Sequence, residues 1–255
     1  MRALAMAAAA GVMVAGGAAR AFTITPTYDD LLDGTVTWNQ TEKDVVAAAI
    51  DSWTSRLAMP AGPQNIDVSF EFVHGNGEIA QWTGQPVSSP TGTNAFTAGV
   101  YHVIDINVDL MDLTLPNHTI FTLGALPFED WDALTAIRHE IGHALGFATL
   151  YTDGSGQGIW ASHVTTAGGL ATFDAGGLNL ALYAPGNIVH MADGPDLMGA
   201  HLANGTRKDV SVADLQALSL AYGYVVVPEP GTCAVLGVGM AVVLLRRRGR
   251  GNSEF

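Results

Sequence analysis

The 255-residue sequence holds one cysteine, Cys233, and it lies inside an apolar run near the C-terminal end. No internal disulfide can form, and no thiolate is available to a metal in the body of the chain. Positive charge is nearly as scarce. Lys and Arg number 11 against 24 Asp and Glu, and Arg2, Arg20, Arg246, Arg247, Arg248 and Arg250 crowd the two ends. Between them stand only Lys43, Arg56, Arg138, Arg207 and Lys208. A body this acidic repels phosphate backbones, which excludes nucleic acid as a natural partner. It suits an extracellular protein and is compatible with Ca2+, but composition assigns no calcium site. The run TCAVLGVGMAVVLL is also too short for an independent spanning helix, which needs about 20 apolar residues.

What the ends do contain reads as address. Residues 1–21 open with Arg2, continue as an alanine-rich apolar stretch and finish in small residues, the order expected of a secretory signal peptide cleaved after Ala19 or Ala21. At the other end VPEPG, Val227 to Gly231, precedes the short apolar run and then the cluster RRRGR. That order resembles the PEP-CTERM sorting signal of Gram-negative bacteria over residues 227–255. The resemblance implies recognition by exosortase-type sorting machinery, transient association with the inner membrane, arginines on its cytoplasmic side, and a final location at the cell surface or outside the cell. Residues 22–226 remain as one folded domain, a normal size for a single core.

Within that domain TEKDVVAAAIDSWTSRL predicts an amphipathic helix, with Thr41 and Asp44 as a capping-box pair. IDVSFEFV and YHVIDINVDL alternate as strands, the second carrying Ile104, Ile106, Val108 and Leu110 on one side. EIAQWTGQPVSSPTGTNAF, rich in Gly, Pro, Ser and Thr, reads as turns or a poorly ordered hairpin. The period then changes to 3.6 through PFEDWDALTAIRHEIGHALGF, with Gly146 as its stop. Residues 150–190 read as glycine-rich loops with strand candidates around Thr172 and Leu180. SVADLQALSLAYG predicts a last helix, capped by Ser211 with Asp214. The order fits a mixed α+β domain.

The chemistry lies in RHEIGHALGF, Arg138 to Phe147. Positions four apart share a helix face, so His139 and His143 can present imidazoles to one ion. Glu140, rotated by about 100 degrees, can reach a water at that ion without being a ligand and take its proton. A catalytic zinc takes three protein ligands and keeps a fourth position open. Two familiar routes to the third ligand are closed, because position 149 is Thr149 rather than histidine and the first glutamate after Glu140 is Glu229 in the terminal motif. His163, His190, His201 and the aspartates, Asp153 nearest, remain.

His190 sits in HMADGPDLMGA, a few residues before a leucine-methionine pair, with the last helix following. Here the chain resembles leishmanolysin-like metzincins and their bacterial PEP-CTERM-sorted relatives, from about Tyr101 to Tyr224. The resemblance implies a metzincin-like fold with a mixed twisted sheet, His139, His143 and His190 as zinc ligands, Glu140 as general base, and Met198 as the Met-turn residue beneath the ion. It departs from the family at His190-Met191, where tryptophan usually follows the histidine, and in lacking disulfides. The implied activity is a secreted Zn2+ endopeptidase acting on protein or peptide substrates. The competing expectation is a non-catalytic surface or matrix protein that keeps the zinc-binding fold. The resemblance also implies that the strand just before the motif helix, YHVIDINVDL, flanks the cleft and offers its edge to an extended peptide.

Overall fold

The computed structural model describes residues 20–59, 65–75, 77–86, 100–112, 117–152 and 157–228. The expected leader up to Ala19, Asp153 and the terminal sorting segment beyond Pro228 lie outside the described residues. Arg20–Ala21 pairs antiparallel with Leu57–Met59, placing the first strand of the fold two residues ahead of the boundary read from the sequence. No helix among the described residues is long and apolar enough to cross a membrane.

Thr23–Asp29, Asn65–Val73 and Val100–Asn107 lie side by side and parallel, and Ala80–Trp82 closes the edge antiparallel to the third of them, giving a mixed sheet. The alternation in Asn65–Val73 does what it predicts: Ile66, Val68, Phe70 and Phe72 are buried. Two corrections bear on the site. The strand Val100–Asn107 is internal, flanked by Asn65–Val73 and Ala80–Trp82, so among the described residues the edge on that side is Ala80–Trp82, in a segment expected to be turns or a poorly ordered hairpin. It also ends sooner than the alternation implied, because Asn107 Oδ1 accepts from Asp109 N–H and starts a 3-10 turn over Val108–Met111.

The first helix, Gln40–Thr54, packs against the motif helix, Ala133–Leu145. Fully buried Trp53 joins them, its indole N–H donating to Arg138 O at 2.9 Å. The first helix is capped by Asn39 and Glu42, not Thr41 and Asp44. Just ahead of that cap Asp30 Oδ1 accepts from Trp38 N–H at 2.9 Å.

Residues 164–191, expected to be largely irregular, form a four-stranded antiparallel sheet: Val164–Ala167, Leu170–Ala175, Leu178–Ala184 and Asn187–Met191. Its first two turns are Gly168-Gly169 and Gly176-Gly177, all four glycines with positive φ, as two-residue hairpin turns require. The last helix, Val212–Tyr222, starts at the Ser211–Asp214 box as expected. The architecture is mixed α+β.

Candidate metal centre

The motif helix supplies two of three converging imidazoles and the hairpin sheet supplies the third. His143 Nε2 lies 3.1 Å from His139 Nε2 and 3.1 Å from His190 Nε2, and one ring nitrogen of each lies within 4.8 Å of the others. Every ring is turned by an acceptor on its far side. His139 Nδ1 donates to Leu197 O at 3.0 Å, His143 Nδ1 to Phe147 O, and His190 Nδ1 to Asn187 Oδ1 at 2.6 Å. Because those oxygens can only accept, the protons sit on Nδ1 and the three Nε2 lone pairs face one another. Three acceptors pointed at a common centre repel unless a cation lies between them, which is the arrangement a metal ion needs.

Electrostatics favour the same form. Burial lowers His139 to about 4, drives His143 well below the usual imidazole range with help from its two neighbours, and lowers His190. Neutral rings are the ligating ones. Glu140 moves the opposite way: burial raises its carboxyl to about 8, opposed by the Trp82 backbone N–H, which donates to Oε2 at 2.7 Å. The edge strand thus holds Glu140 directly.

Support comes from three places. The motif helix begins at buried Asp132, whose carboxylate accepts from Thr135 N–H and is gripped by Arg207 through Nε at 2.9 Å and Nη2 at 2.7 Å. It ends at Gly146, whose φ of 152° turns the chain so that Phe147 O returns to His143. Beneath it Gly142 meets Met198: a Cβ at Gly142 would stand 2.4 Å from the Met198 sulfur. The Met198 segment is fixed in turn by Asp214, which accepts from Leu197 N–H at 3.1 Å and Met198 N–H at 3.2 Å while completing the cap of the last helix.

The other histidines lie apart from the trio. His201 pairs with Asp193 through Nδ1 at 2.9 Å, and His163 packs on Phe173. Tyr222 and Tyr224 donate to Gly146 O and Leu145 O at the helix end, which is packing rather than chemistry at the centre. The sequence reading missed Trp82, Asn187, Asp214 and Lys208. Only Asp214 left a signal, as a helix cap.

Two cavities meet at Glu140 and His190. One, about 460 Å3, extends past Thr135 and Leu197 to Lys208. The other, about 340 Å3, lies beneath Trp82 and Phe147. Together they form a cleft running past the three histidines, with the edge strand Ala80–Trp82 along one wall. No protein-family model matches the chain, and no curated protein does.

Proposed function

We propose that the chain is an exported zinc-dependent endopeptidase of the leishmanolysin-like metzincin kind. The observation that carries the reading is the convergence of three neutral imidazoles beside a buried carboxyl, at the junction of two cavities. Three nitrogen ligands match the ligand count of catalytic zinc, and two of their three separations, 3.1 Å each, are near the roughly 3.3 Å edge of a tetrahedron of zinc–nitrogen bonds. When bound, zinc polarises a carbonyl and eases deprotonation of water near neutral pH.

The chain's residues do the rest. Glu140 accepts the proton of the attacking water and delivers it to the departing amine, with the Trp82 N–H setting which oxygen is free. The outer edge of Ala80–Trp82, which among the described residues carries no further strand, takes an extended substrate backbone beside the Trp82–Glu140 contact, so main-chain hydrogen bonds place the bond to be cut. Met198 lies under Gly142 as a packed floor and offers no ligand. The reading includes the address: a leader ending at Ala19, which spares the strand Arg20–Ala21, and a sorting segment over 227–255 make this an exported protein.

The test is metal analysis combined with hydrolysis of casein and of a diverse peptide library by the full chain and by Glu140→Gln. Both proteins are expected to hold one zinc, and the variant to be slower by about 10²- to 10⁴-fold. Equal zinc with no hydrolysis of casein or peptides by the unaltered chain would leave a non-catalytic zinc-binding protein in its place.

A further inference from the structure

The larger cavity has a cationic group on its wall in a chain with few cations to spend. Lys208 is clamped by its backbone to the motif helix, its N–H donating to Thr135 Oγ1 at 2.9 Å and its carbonyl accepting from Arg138 Nη1 at 2.9 Å. Thr135 and Ala136 line the cavity one turn before His139, so this clamp sets the lysine stem along the same wall. The ammonium donates to Asp196 O at 3.2 Å, and among the described residues it makes no ion pair.

The neighbouring carboxylate is already engaged. Asp193 accepts from His201 N–H at 3.2 Å through one oxygen and faces His201 Nδ1 at 2.9 Å through the other. Glu78 lines both cavities from the strand side. Space is kept open as well: a side chain at Gly199 would bring its Cβ to 3.2 Å from Nζ. A partly buried ammonium with one carbonyl partner retains two donors, and the complement to those donors is an anion.

We infer that the larger cavity receives a carboxylate of the substrate, held by Lys208, so that cleavage falls next to an acidic residue. The inference rests on the peptidase reading for its consequence, but the carboxylate site stands on the cavity itself. His201, on the cavity rim against Tyr183, would border the same group, and its Asp193 partner leaves Nε2 directed away from the pair.

The experiment uses the zinc-loaded full chain and peptides blocked at both ends, with Glu, Gln or Lys placed in turn at each position within two residues of the cut. Glu peptides are expected to be cut about 10- to 100-fold faster than their Gln counterparts, the ordinary worth of a charge-assisted contact. Lys208→Arg should keep that preference, Lys208→Met should erase it, and Lys208→Glu should turn it toward Lys peptides, all with unchanged zinc content. Equal rates for Glu and Gln in the unaltered chain, or a preference that survives Lys208→Met, overturn the inference. Calorimetric binding of the same peptides separates the two readings. If no peptide is cut, the peptidase reading falls, yet tighter binding of Glu than Gln peptides that Lys208→Met abolishes still supports the site, and equal affinities sink it. Gln peptides with a free C-terminus, compared with their amides, tell a chain-end carboxylate from a side chain; either source fits the site, and indifference to both overturns it.

Discussion

Alanine at Gly142 is the sharpest probe of how the motif helix sits on the Met198 segment. A Cβ there would stand 2.4 Å from Met198 Sδ and 3.1 Å from Trp53 Cζ2. Both neighbours are completely buried, and Trp53 is pinned to Arg138 O by its indole N–H. In an exposed helix the same exchange stabilises by about 1 kcal/mol. Here that gain opposes overpacking worth about 1–3 kcal/mol, and the contact is deep enough to put the cost toward the upper end. A net loss of about 1–2 kcal/mol is expected from urea unfolding of the metal-free chain. Metal affinity should fall as well, because displacing Met198 disturbs the adjoining Leu197 carbonyl that orients His139. Met198→Ala costs about 2–5 kcal/mol alone but removes the obstacle. On that background Gly142→Ala should become neutral or stabilising, a coupling of about 1–3 kcal/mol. A rise of about 1 kcal/mol from Gly142→Ala in the otherwise unaltered chain would refute the close packing.

Three further outcomes follow from the same contacts. His190→Ala should abolish tight zinc binding while His201→Ala retains it, read by equilibrium dialysis. With free metal at about a thousandfold over Kd, chelation should lower the melting temperature by roughly 8–16 °C in the unaltered chain and in His201→Ala. Asp214→Asn keeps the shape but turns an amide toward backbone donors of Ser211, Leu197 and Met198; a loss of about 2–4 kcal/mol in unfolding is expected, with weaker zinc binding at temperatures where the fold persists. Arg207→Gln strands the fully buried Asp132 carboxylate at the start of the motif helix and should cost about 3–5 kcal/mol in urea unfolding. Arg207→Lys should recover little of it, since the fork of contacts to Asp132, Gly124 and Thr122 needs a guanidinium.

What the sequence revealed divides along the range of the interactions involved. The motif helix and the last helix were legible because period, cap and glycine stop are written within a dozen residues. The first helix was legible too, but its cap was misplaced: Asn39–Glu42 and Thr41–Asp44 satisfy one local rule equally, and the structure uses the first. Ala80–Trp82 escaped notice because a strand of three residues is too short to show a period. They become a strand by pairing with Ile104 to Ile106 across the chain, and the edge expected of Val100–Asn107 passed to them. In residues 164–191 the strands around Thr172 and Leu180 were legible, but their extent and their two partners were not, since glycine pairs that look like loop are the turns two-residue hairpins demand.

The same division orders the three ligands. His143 takes its orienting carbonyl from Phe147, four residues on, through the turn at Gly146. His190 takes its partner from Asn187 within one strand. Both supports travel with the ligand, so a disturbance elsewhere moves ring and acceptor together. His139 depends on Leu197, whose segment is fixed by Asp214 at the start of a different helix. Its orientation therefore links the motif helix, the Met198 segment and the last helix, and no spacing within RHEIGHALGF encodes it. Of the three imidazoles, His139 is the one whose grip on a metal should report first on any loosening of the fold.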